Sequence, residues 1–436
     1  MQPTLNFRVK GGRKLTGEIT VNSSKNGAVG LLCASLLNRG TTVLKNMPRI
    51  EEVHRIIEVL RSIGVEATWN DHTLTLVPPK TFSMQKMDIE AAEKTRSILM
   101  FVGSLIHSLP SMRIPQAGGC KLGSRTVRPH KYALKQFGVV IASGGDAWKV
   151  SHTKLHAADI LMYESGDTAT INAILAAAGI AGQSTIKYAS ANYQVQDVCQ
   201  YLVSLGVKID GIGTTTLTIR GKAGIKKNVS FELSEDPTDA MFFLAAAIVT
   251  RSSIVIKRIP IDFLELELYK LELMGFTYDV LRKYKGRNGY VNLVDIRTHA
   301  SSLVGSPEKI YGRPYPGLNI DNLPFFAVIA TQAKGTTLIH DWAYEGRALY
   351  FTEMNKLGAK AMLADPHRVF VEGKTPLKAA DLTCPPALRP AAILLIAMLA
   401  AKGISTLRNI YSINRGYEGL AEKLQSLGAS VEVFEG

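Results

Sequence analysis

A chain of 436 residues is too long for one ordinary hydrophobic core, so two or three domains are expected. With 46% hydrophobic and 20% charged residues it reads as globular, which excludes a disordered or fibrous chain. The formal net charge of +14 points to an acidic partner, and Lys and Arg are scattered without a long basic run. That suits a phosphate-binding cleft at least as well as a nucleic-acid track.

The four cysteines, Cys33, Cys120, Cys199 and Cys384, form no CxxC pair, so zinc and thioredoxin-type sites have no support and no metal is expected. Met1 to Lys14 lacks the apolar segment of a signal peptide. The longest apolar run, Ala391 to Ala401, is about eleven residues against the roughly 20 of a membrane span. A cytoplasmic protein without membrane contact is the expectation.

Along the chain a helix-like stretch ending in Gly recurs at Gly64, Gly138, Gly206, Gly275, Gly358 and Gly428. Upstream of each lies an apolar stretch rich in small residues, such as GAVGLLCASLL, INAILAAAGI and AAILLIAMLA. Each unit reads as a buried helix, a strand, an amphipathic helix, a Gly stop and one or two strands. Glu51 to Ile63 and Tyr417 to Leu427 carry the amphipathic spacing. Six such units suit an α/β protein of two three-unit domains. The expected division is 22–230 for the first and 1–21 plus 231–436 for the second, crossing in the Gly/Lys-rich segment near Ile225 to Phe231. The first strand, residues 1–21, is expected to pair with the last unit.

Charged residues fall at the starts of the buried helices. Ser23 or Ser24 can cap a helix whose first turn holds Lys25, where a cation opposes the helix dipole unless it shares an anion with the free N–H groups. Arg96, Asp236, Asp321 and Arg389 occupy the same phase in other units. Between Arg96 and the next helix runs Gly118-Gly119-Cys120-Lys121-Leu122-Gly123-Ser124-Arg125, with Arg128 and His130 close behind. Cations beside Cys120 favour its thiolate. Arg347 and Arg415 add further cations. Several cations, one carboxylate able to act as base and one thiol able to act as acid make a constellation for chemistry on an anion, if these helix ends converge on a cleft between the domains.

SKNGA at Lys25 and Asn26, GGCKLGSR at Cys120, PYPGLNID at Asp321, YEGR at Arg347, ALRPA at Arg389 and IYSINRGYE at Arg415 make the specific resemblance. From end to end the chain resembles the enolpyruvyl transferases. The nearest branch is the one acting on UDP-N-acetylglucosamine, and EDPTDAMFFLAAA is similar to the shikimate-pathway branch. The resemblance implies two inverse α/β barrels, each of three βαβαββ units, with the active site in the interdomain cleft. It implies transfer of the enolpyruvyl group of phosphoenolpyruvate to a sugar 3-hydroxyl, with release of phosphate and no cofactor. Carried over by position, Lys25, Arg96, Arg125 and Arg415 would hold the phosphate and carboxylate, with Arg389 near the carboxylate. Cys120 would be the proton donor on a mobile lid and the residue alkylated by fosfomycin. Asp321 would be the base. Asn26, His130 and Arg347 would serve the sugar nucleotide or the lid. A monomer or weak homo-oligomer without nucleic acid is expected.

The sequence departs from that branch on the nucleotide side. Arg128 stands where the family has an Asp for the uridine, Met162 where it has a Lys near the diphosphate, and Ala387 where it has an Asp. Ser412 and Asn414 replace a His and an Asp. Another nucleotide or sugar acceptor is therefore an alternative, and a non-catalytic nucleic-acid-binding relative is a second.

Overall fold

The computed structural model describes residues 4–116 and 126–436. The chain divides into two compact units, one of 23–116 and 126–234, the other of 4–22 and Glu235–Gly436. Cys120 and Arg125 lie outside the described residues.

Helices Lys25–Ser35, Phe101–Leu105 and Asp167–Ala178 pack on one another in the first unit. The side chains from Ala169 to Ala178 are all buried, as an all-round apolar helix requires. Small residues permit close approach: a Cβ added at Gly103 would lie 2.4 Å from the carbonyl oxygen of Asn172. In the second unit, Pro237–Val249, Leu323–Ala330 and Leu388–Ala400 make the corresponding trio, with Phe242 edge-on to Phe325 at 6.3 Å.

Among the described residues, five of the six sheets share one four-stranded pattern. A short strand pairs in parallel with the strand that follows the buried helix, and two antiparallel strands complete the sheet. Thus Asp159–Leu161 runs parallel to Gly182–Lys187, which is followed by Thr216–Gly221 and Lys208–Asp210. These strands alternate between buried and solvent-facing residues, as half-covered sheets do. In the last sheet the third strand is supplied from the start of the chain: Leu5–Gly11 lies between Gly403–Arg408 and Ser430–Glu435, with Phe7 opposite both Leu407 and Val433. The first strand does join the last unit. A second short strand, Glu18–Thr20, pairs instead with Val255–Pro260.

Each expected Gly stop takes a left-handed backbone, from φ 105° at Gly64 to φ 82° at Gly428, which lets the chain leave the outer helix at little steric cost. The strand Val229–Glu232 pairs in parallel with Thr42–Lys45, and the first unit runs to Ser234, three residues beyond Phe231. Two expectations are corrected. The helix expected over Tyr417 to Leu427 is only Leu420–Ser426, because Gly419 is left-handed at φ 57°. The apolar stretch after Lys94 is split into a 3-10 turn, Arg96–Met100, and a single α-turn and a half, Phe101–Leu105.

Candidate active site

In the first unit, Ser24 caps helix Lys25–Ser35, its hydroxyl accepting the Gly27 N–H at 2.8 Å. That cap fixes Lys25 as the first helical residue, half-buried, with Nζ donating to Asn26 Oδ1 at 3.1 Å. Asn26 Nδ2 in turn donates to the hydroxyl of Tyr193 at 3.1 Å, and Tyr193 is buried. Arg96 opens the 3-10 segment Arg96–Met100 and donates from Nη2 to the Thr126 carbonyl at 3.2 Å.

His130 is buried rather than presented to solvent. Asn172 Nδ2 donates to its Nδ1 at 3.1 Å, so the ring proton is assigned to Nε2, which faces Thr168 Oγ1 at 3.4 Å. Burial, then the nearby Arg96, pushes its pKa down to about 3. It is thus a neutral strut between helices and not a cation. Met162 is buried too, whereas Arg128 is exposed.

In the second unit, Asp321 stands two residues before helix Leu323–Ala330 with its side chain 29% exposed. Two guanidiniums flank it: Arg347 Nη1 is 3.8 Å from Oδ1 and Arg389 Nη2 is 3.6 Å from Oδ2. Arg389 sits in the first turn of helix Leu388–Ala400, is buried, and donates from Nη1 to Tyr417 Oη at 2.9 Å. Arg347 is 1% exposed. It forms a fork with Asp341, from Nε and, at 2.9 Å, from Nη2. Nη2 also reaches the Ile320 carbonyl at 2.8 Å, and the guanidinium covers the Tyr344 ring at 4.1 Å. The Asp321 loop has a second anchor: buried Glu267 accepts from Asn319 N at 3.0 Å and Asn322 Nδ2 at 2.9 Å through Oε1. Arg415 follows the short helix Tyr411–Asn414 and is half-buried.

The structure therefore brings together Asp321, Arg347 and Arg389 in one unit, and Lys25 and Asn26 in the other. Tyr193, Glu267, Asp341 and Tyr417 support them without having been singled out in the sequence. Cys33, Cys199 and Cys384 are buried and carry raised thiol pKa values, Cys199 and Cys384 up to about 12, because burial disfavours the thiolate. Among the described residues no cluster of His, Cys, Asp or Glu could hold a metal ion, and no helix is long and apolar enough to cross a membrane.

A partly exposed carboxylate beside guanidiniums can accept a proton while nearby cations bind an anionic substrate, an arrangement for group transfer from a charged donor. The family model of EPSP synthase (3-phosphoshikimate 1-carboxyvinyltransferase) matches residues 9–424. The chain is 32% identical over 438 residues to the UDP-N-acetylglucosamine 1-carboxyvinyltransferase of Treponema denticola, covering 98% of this chain and 99% of the relative. It is 30% identical to that of Bradyrhizobium diazoefficiens over 428 residues, 98% of each. The fold is similar to that of the enolpyruvyl transferase NikO from Streptomyces tendae, with a TM-score of 0.85 at 23% identity over all of both chains. An EPSP synthase from Acinetobacter baumannii superposes with a TM-score of 0.77 at 17% identity, over 99% of this chain and 100% of that one. The chain belongs to the EPSP synthase family of carboxyvinyl transferases, and it is a transferase.

Proposed function

We propose that this enzyme transfers the enolpyruvyl group of phosphoenolpyruvate to the 3-hydroxyl of UDP-N-acetylglucosamine, the first committed step of peptidoglycan synthesis. The observation that carries the reading is Asp321, partly exposed and held between Arg347 and Arg389. Curated relatives of that name, matched over 98% of this chain, support the acceptor. The sugar hydroxyl adds to C2 of phosphoenolpyruvate as its proton passes to Asp321, and C3 receives a proton, giving a tetrahedral ketal. Loss of the C3 proton and cleavage of the C2–O bond to phosphate then restore the double bond. Lys25, Arg96, Arg389 and Arg415 balance the charge of phosphate and carboxylate, joined on sequence grounds by Arg125. Cys120 is assigned the proton donation to C3 and alkylation by fosfomycin, also on sequence grounds. Asn26 serves the sugar nucleotide. A cytoplasmic monomer or weak homo-oligomer fits this chemistry.

The test is phosphate release from phosphoenolpyruvate with UDP-N-acetylglucosamine, with mass spectrometry of the enolpyruvyl product. Release only with another nucleotide would replace the acceptor. Asp321→Asn is expected to abolish turnover while phosphoenolpyruvate still binds; near-normal turnover would remove Asp321 from the mechanism.

A further inference from the structure

We infer that Asp341 and Arg347 are positioning residues for Asp321: a buried carboxylate locks a buried guanidinium, which fixes both the placement and the charge surroundings of the base. At 1% exposure, with Nε and Nη2 engaged by Asp341 and the Ile320 carbonyl, Arg347 turns Nη1 toward Asp321 at 3.8 Å. The Ile320 carbonyl belongs to the residue before Asp321, so the bond at 2.8 Å pins the backbone that carries the base. Asp341 is itself tied down, its N–H donating to the His367 carbonyl at 2.7 Å and its own carbonyl 3.0 Å from His367 Nδ1. It follows directly on strand Gly335–His340, so the sheet's position is passed through one salt-bridged fork to the loop.

The fork also sets the charge that Asp321 meets. Arg347 and Arg389 face it directly; Asp341, Tyr344 and His367 lie behind Arg347, and Tyr417 behind Arg389. With Asp341 ionised, the Arg347 charge is largely offset. Arg389 is the second cation at Asp321 and lies outside the fork. Asp341→Asn preserves the shape of the side chain and leaves the Arg347 charge without its counter-ion. The Asp321 carboxylate would then be stabilised and become a weaker base.

The kinetic half of this inference rests on the proposed function; the titration half does not. The experiment is carboxyl-13C NMR of the full chain labelled at aspartate, the Asp321 resonance being identified by its loss in Asp321→Asn. In Asp341→Asn the Asp321 midpoint is expected to fall by about half a pH unit or more. An unmoved midpoint overturns the inference. In the transfer assay kcat should fall about tenfold, with KM for phosphoenolpyruvate within about threefold of the parent, and the acid limb of the pH profile should move the same way. Lost kcat with an unmoved limb, or unchanged kcat, also overturns it. If Asp341→Asn does not fold, Arg347→Lys provides the second reading. Lys can pair with Asp341 but cannot span to Ile320 and Asp321, so the midpoint should rise, and constancy overturns the inference. Absence of transfer by the parent enzyme would sink the acceptor reading, while the NMR midpoints would still decide on the relay.

Discussion

Arg389 donates to the hydroxyl of Tyr417 at 2.9 Å, and its guanidinium lies 5.6 Å from the centroid of the same ring. Tyr417 is 4% exposed, so the phenol presents a fixed acceptor from within the core. Tyr417→Phe keeps the ring and removes that acceptor. The expected result is a rise of about fivefold to tenfold in KM for phosphoenolpyruvate, corresponding to about 1–1.5 kcal/mol for one buried hydrogen bond to a charged group. Steady-state kinetics would check it, and an unchanged KM would mean that the bond does not aim Arg389.

His130 supplies a pH signature of stability. Its folded pKa, pushed down to about 3, lies below the ordinary imidazole value of 6.5. The unfolded chain therefore binds this proton more tightly than the folded one. Stability from neutral His130 is present above about pH 6.5 and is progressively lost as the pH falls toward the folded value. Between pH 7 and pH 5 this one residue should cost about 2 kcal/mol. Urea titrations at both pH values should show that decrement in the parent and a smaller one in His130→Gln. Equal decrements would assign the pH dependence to other groups.

The three buried cysteines predict the labelling pattern. Iodoacetamide under native conditions should leave Cys33, Cys199 and Cys384 unmodified, because their thiols are buried and held protonated. Peptide mapping by mass spectrometry would then find these three thiols labelled only in denaturant. Native modification of any of the three would contradict the packing described.

Ser24 offers a test that joins helix capping to the site. Ser24→Ala removes the acceptor for Gly27 N–H and should cost about 1 kcal/mol in urea unfolding. Because the cap also sets where Lys25 starts the helix, KM for phosphoenolpyruvate should rise in the same variant. A stability loss with unaltered KM would separate the two roles.

The parts of the fold legible in the sequence are those written in local periodicity. All-round apolar helices such as Pro237–Val249, and glycines that must turn left-handed such as Gly64, declare themselves within a dozen residues. Of the candidate site, the helix-start placement of Lys25, Arg96 and Arg389 was legible, since all three occupy first turns. What stayed hidden depends on partners distant in the chain. Glu267 reads as one more charge on an outer helix until Asn319 and Asn322 close on it. Asp341 has no periodic signal at all; only its burial against Arg347 distinguishes it. Val229–Glu232 looked like linker because its strand partner, Thr42–Lys45, belongs to the opposite end of its unit.

The placement of Leu5–Gly11 between Gly403–Arg408 and Ser430–Glu435 also orders events during biosynthesis. The described residues of the first unit, 23–116 and 126–234, take no strand from beyond Ser234, so a ribosome can release them able to fold while the remainder is still being made. The other unit cannot close its last sheet until Ser430–Glu435 has emerged, and Leu5–Gly11 gains its first neighbour only after Gly403–Arg408 is made. Until then Phe7 and Val9, both buried in the finished sheet, lack the strands that cover them.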